Sequence, residues 1–121
     1  MSSRSKLIIF GAGKIGRTVA DLMDHTGDYE VTLVDLDDKA LEGVTVGKKV
    51  VDASNAKALE EAMAGHDFVL SALPFDLTKN IAVAAKNQKL HYFDLTEDVA
   101  TSDFVRDLAC DAETAFVPQS G

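Results

Sequence analysis

The chain has 121 residues, 46% of them hydrophobic, and a formal net charge of -8. That length fits one domain, residues 1–121, and the apolar fraction is enough to bury a core, which argues against disorder. The acidic balance argues against a nucleic-acid groove or an anionic membrane surface, because both draw basic proteins. The single cysteine, Cys110, cannot form an internal disulfide and fits a reducing compartment. No apolar run approaches the roughly 18 residues of a membrane span. Leu7 to Phe10 is too short for the apolar region of a signal peptide, so a cytoplasmic protein is expected.

Leu7-Ile-Ile-Phe10 reads as a first strand, followed by Gly11-Ala-Gly-Lys-Ile-Gly16 and a helix with Ile15, Val19, Leu22 and Met23 on one face. Val31 to Val34 is a second strand, ending at Asp35, and a short helix is expected near Asp37 to Leu41. Lys49 to Val51 gives a third strand, then Leu59 and Met63 mark a helix. Phe68 to Leu70 is the fourth strand, and Leu77, Ile81 and Ala84 mark the helix after it. Tyr92, Phe93 and Leu95 form a fifth strand, Phe104 and Leu108 a helix, and Ala115 to Val117 a sixth strand. Continuous rather than alternating apolarity suits strands buried on both faces, as in a parallel sheet. Parallel strands require right-handed crossovers, which place helices on both sides. The expectation is an α/β doubly wound Rossmann sheet of three layers, with six parallel strands in the order 3-2-1-4-5-6.

Gly11-Ala-Gly-Lys-Ile-Gly16 is a G-x-G-x-x-G between a strand and a helix, with Asp35 beyond it at the end of the next strand. That context makes it a dinucleotide fingerprint. Gly11 permits the tight turn, Gly13 lets backbone approach a pyrophosphate, and Gly16 lets helix and strand pack closely. Ala12, Lys14 and Ile15 complete the loop, whose N–H groups meet the phosphates at the positive end of the helix dipole. Asp35 suits the adenosine ribose hydroxyls. A 2′-phosphate there would meet Asp35, Asp37 and Asp38, with Leu36 rather than an arginine next in the chain. NAD is therefore expected ahead of NADP.

Asp52, followed by Ala53, either faces the adenine amino group or caps the next helix in competition with Ser54 and Asn55. Ser71-Ala72-Leu73-Pro74 ends the fourth strand beside the point where strand order reverses; its small residues would let a nicotinamide ribose lie against the backbone. Asp94, with Thr96, is a further candidate on the nicotinamide side. The three histidines and Cys110 show no ligand spacing, so no metal site is expected. No serine or cysteine stands in a recognisable triad context, and the catalytic residues are unknown.

Lys6 to Gly16, Ser71-Ala-Leu-Pro74, His91-Tyr-Phe-Asp-Leu-Thr-Glu-Asp98 and Val117-Pro-Gln-Ser-Gly121 together resemble the saccharopine dehydrogenase family over essentially the whole chain. The resemblance implies the N-terminal cofactor domain of an oxidoreductase that binds NAD or NADP. Hydride transfer at a C–N bond of a lysine-like amino acid would follow, with substrate and acid–base groups in a second domain absent here. By resemblance Gly11, Gly13 and Gly16 carry the phosphates, Asp35 the ribose and Ser71 to Pro74 the nicotinamide side. An arginine after the second strand is usual in members that use NADP, and its absence supports NAD. A sheet end that packs against the second domain would favour a homodimer when bare. The competing reading is a regulatory module that senses nucleotides without chemistry, like those of potassium-uptake systems. A lone small reductase is disfavoured, because Tyr92 is followed four positions on by Thr96 and not by a lysine.

Overall fold

The computed structural model describes residues 5–73, 75–94 and 116–117, with backbone alone for Phe75, Asp76, Asp94, Phe116 and Val117. The described elements are β1 (Ser5–Phe10), α1 (Lys14–Thr26), β2 (Tyr29–Asp35), a 3-10 turn (Asp38–Leu41), β3 (Gly47–Val50), α2 (Ala56–Met63), β4 (Phe68–Ser71), α3 (Phe75–Gln88), β5 (His91–Asp94) and β6 (Phe116–Val117). All described pairings are parallel, and the strands lie in the order β3-β2-β1-β4-β5-β6. This is the expected doubly wound Rossmann sheet, with β6 described over Phe116–Val117. The expected helix of Phe104 and Leu108, together with Leu95 and Ala115, lies outside the described residues.

β1 occupies the centre, and its apolar run explains why. Ile8 and Phe10 join Val34, Val69 and Tyr92 beneath α2 and α3, where Leu59, Met63 and Ile81 are fully buried. Leu7 and Ile9 face the other way and join Val31, Leu33, Ala20 and Leu41 beneath α1. A strand with core on both faces must be apolar at successive positions, which is the pattern of residues 7–10. Helices on both faces give the three layers.

One expectation is corrected. Ile15 and Leu22 do not belong to the core face of α1: they are 61% and 63% exposed. The buried positions there are Gly16 and Ala20, because α1 starts so close to β1 that only small residues fit between them. The short helix expected after β2 is present as a 3-10 turn, opened by Asp37, whose side chain accepts from the Lys39 N–H. Arg17 fastens that turn to α1, its guanidinium donating to the carbonyl of Glu42 at 3.0 Å and of Ala40 at 3.5 Å. Among the described residues, no helix is long and apolar enough to cross a membrane.

Candidate functional site

The register brings the carboxyl ends of the strands to one level. Phe10 pairs with Val34 and Ser71, Asp35 with Val50, and Ser71 with Asp94. At this end β1 has β2 on one side and β4 on the other, so the connections diverge and leave a crevice.

The glycine loop crosses this crevice. Gly11 holds a positive φ of 107°, and its N–H donates to Val34 across 2.8 Å. A side chain at Gly11 would press on the Ala72 carbonyl oxygen at 3.0 Å, and one at Gly16 would collide with the Gly11 carbonyl oxygen. These two glycines are therefore demanded by the turn and by the helix–strand contact. Gly13 differs: no protein atom lies within 4 Å of where its Cβ would stand. It is the N-cap of α1, its φ of -70° is open to any residue, and no side chain caps the helix. The first turn carries no acidic residue, so its unpaired N–H groups present uncompensated positive potential to the open side. Space at Gly13 together with free donors fits a phosphate group. Ala12 is buried, while Lys14 and Ile15 are exposed at the rim.

Asp35 stands next to the loop and is tied to it. Its Oδ2 accepts from the Ala12 N–H at 2.8 Å and its Oδ1 from the Asp37 N–H at 3.0 Å. The carboxylate thus joins the glycine loop to the turn after β2, a role that motif spacing does not reveal. A cleft of about 420 Å³ opens beside it between Asp35, Leu36, Asp52, Ala53 and Leu73. Leu36 is 65% exposed and stands at this cleft, an apolar surface of the kind a flat heterocycle covers.

Of the two roles considered for Asp52, helix capping falls to Asn55, whose side chain accepts from the Ala58 N–H. Asp52 Oδ1 instead accepts from the Ser54 hydroxyl at 2.6 Å and the Ser54 N–H at 2.9 Å. Those hydrogen bonds, the hydroxyl's above all, hold its carboxyl below the ordinary aspartate value.

Ser71 turns its hydroxyl inward, 2.8 Å from Thr78 Oγ1, so only its small size and backbone face the crevice. Ala72 donates its N–H to Phe10 and lies against Gly11, and Leu73 lines the cleft. Asp94 ends β5 level with Ser71. Pro74 and Thr96 lie outside the described residues. Sequence reasoning missed Thr78 and Asn80 of α3. Thr78 is fully buried and donates to the Leu73 carbonyl, and Asn80 donates to the Ala53 carbonyl. Asn80 acts across the fold and Thr78 on the turn just before its own helix, and neither sits in a recognisable motif.

A strand, an open glycine loop on a helix start, an acid ending the next strand and a cleft beyond it form a nucleotide-binding arrangement. The family model described as the saccharopine dehydrogenase NADP binding domain matches residues 7–117. The chain belongs to that family. It is an NAD(P)-binding Rossmann domain of a saccharopine dehydrogenase-like oxidoreductase family.

Solved structures agree on the fold. Saccharopine dehydrogenase (L-Glu forming) of Saccharomyces cerevisiae is 18% identical, with a TM-score of 0.73 over 86% of this chain. This chain spans 24% of that enzyme. An NAD-binding oxidoreductase of Klebsiella pneumoniae is 17% identical, with a TM-score of 0.76 over 97% of this chain and 34% of its own. The TrkA-N domain of inner membrane protein ybaL from Escherichia coli is 9% identical, with a TM-score of 0.80 over 100% of this chain and 90% of its own.

Proposed function

We propose that the chain holds NAD in preference to NADP, as the cofactor domain of an oxidoreductase acting at a C–N bond of a lysine-like amino acid. The observation that carries the cofactor reading is Asp35, a carboxylate fixed between the glycine loop and the turn after β2, at the edge of the cleft. Gly11 to Gly16 would hold the pyrophosphate, Asp35 and Leu36 the adenosine ribose and base edge, and Asp52 and Ala53 the adenine. Ser71 to Pro74 and Asp94 would flank the nicotinamide side. Ribose hydroxyls donate to a carboxylate, and each such charge-assisted bond contributes about 1.5–3 kcal/mol. A 2′-phosphate would instead meet Asp35, with Asp37 and Asp38 close in the chain and no basic residue at position 36. The nicotinamide ring, when bound, supplies a hydride acceptor. The amine donor class rests on family membership, and the acid–base groups are assigned to no residue of this chain.

The test is calorimetric titration of the chain with NAD, NADP and ADP. NAD is expected to bind about tenfold more tightly than NADP or better. Equal or tighter binding of NADP overturns the preference, and no binding of either dinucleotide overturns the cofactor reading. A second reading, a nucleotide-sensing module without chemistry, is compatible with the fold that the chain shares with the TrkA-N domain. Tighter binding of ADP than of NAD would favour it.

A further inference from the structure

One helix holds both walls of the cleft. On one side Thr78 Oγ1 donates to the Leu73 carbonyl at 2.9 Å, Ser71 Oγ donates to Thr78 at 2.8 Å, and the Leu73 N–H points at Ser71 Oγ at 3.5 Å. This closed ring of hydrogen bonds fixes the turn after β4. On the other side Asn80 Nδ2 donates to the Ala53 carbonyl at 3.1 Å, across 27 residues of chain. The loop it reaches is internally stiff. Asp52 Oδ1 takes both Ser54 donors, the Asn55 N–H returns to the Asp52 carbonyl at 3.0 Å, and Asn55 caps α2. All of those bonds are local, so they shape the loop without placing it against Leu73. Burial of Ala53 in the core and the Val51 N–H bond to the Asp35 carbonyl seat the loop, and the Asn80 amide adds the side-chain hydrogen bond that ties it to α3, the helix that also carries Thr78.

We infer that Asn80 is a positioning residue for the base end of the cleft, which sets Asp52 to distinguish a 6-amino purine from a 6-oxo purine. This rests on the reading of the cleft as the adenosine site. An ionised carboxylate only accepts hydrogen bonds. With Oδ1 occupied by Ser54 among the described residues, Oδ2 accepts from an exocyclic amino group and opposes a carbonyl oxygen. Such a contact is steep in distance and angle. A loop displaced by a few tenths of an ångström on losing Asn80 therefore loses discrimination before it loses shape. Asn80 is exposed, so on its truncation water can take over the Ala53 carbonyl and the fold persists.

The experiment measures AMP and IMP affinities by NMR titration for the parent chain and for Asn80→Ala and Asn80→Asp. Asn87→Ala is the control; it removes an α3 side chain that bonds Glu60 of α2, away from the cleft. The parent is expected to prefer AMP by about tenfold, as a single charge-assisted hydrogen bond gives. Both Asn80 variants should lose about threefold or more of that ratio, and Asn87→Ala should keep it. Unchanged ratios in the Asn80 variants, or an equal loss in Asn87→Ala, overturn the positioning role. A parent that binds NAD but treats AMP and IMP alike overturns this inference and leaves the cofactor reading standing. A parent that binds no dinucleotide overturns both.

Discussion

Replacing Asp35 by asparagine separates its two jobs. In the parent both carboxylate oxygens accept backbone N–H groups, from Ala12 at 2.8 Å and from Asp37 at 3.0 Å. An amide offers a single oxygen, and its other end is a donor. Ala12 is 3% exposed and Asp37 lies in solvent, so the amide oxygen should turn to Ala12 while the Asp37 N–H bonds water. The fold then loses charge assistance on one bond and a loop contact on the other, about 1 kcal/mol. For a domain of this size that lowers the melting temperature by roughly 3–6 °C. Binding loses more. The ribose hydroxyls exchange a charged acceptor for a neutral amide, costing about 1.5–3 kcal/mol, or roughly ten- to a hundredfold in NAD affinity. NADP affinity should fall far less, because the same change removes a repulsion. Calorimetric titration of the folded variant with both cofactors reads the two effects separately. If NAD and NADP weaken in equal proportion, Asp35 is only a staple for the glycine loop and the ribose assignment is wrong.

Gly16 and Gly13 of the loop should respond to alanine in opposite ways. Gly16→Ala drives a methyl into the Gly11 carbonyl, which is backbone and cannot step aside, so urea unfolding should show a loss of about 3 kcal/mol or more. Gly13→Ala meets no protein atom within 4 Å and should melt within about 2 °C of the parent, yet bind NAD at least about tenfold more weakly. A Gly13→Ala chain with parental NAD affinity would put the pyrophosphate elsewhere. His66 supplies a pH dependence. Burial, with smaller contributions from the charges of Lys6 and Lys49, pushes its imidazole below the ordinary 6.5, against the opposing effect of the Met63 and Ala64 backbone. The folded state thus binds the proton less well than the unfolded chain. Its stabilising contribution is complete above that ordinary value and is lost as pH falls through the lowered one. The melting temperature should drop as pH is lowered across that window, and His66→Gln should flatten the drop. An unchanged slope in the variant would assign it to other groups.

What was legible in the sequence was whatever the chain writes locally. Four successive apolar residues at 7–10, running straight into a glycine loop, suit a strand with core on both faces, and their alternation with helical segments suits parallel pairing with crossover helices. The glycine spacing marked a turn whose steric demands are visible at Gly11 and Gly16. Apolar spacing misled on α1, because close approach of a helix to a strand selects for small residues. Gly16 and Ala20 take the face that Ile15 and Leu22 would claim by hydrophobicity. The remainder was out of reach for one reason, that a hydrogen bond between distant segments has no periodicity. Nothing near Asn80 announces that its partner is Ala53, and nothing near Asp35 announces Ala12. Those same bonds connect the glycine loop, the two loops lining the cleft and α3. The groups that would touch a nucleotide could be named from motifs, whereas the groups that fix their distances from one another required the fold.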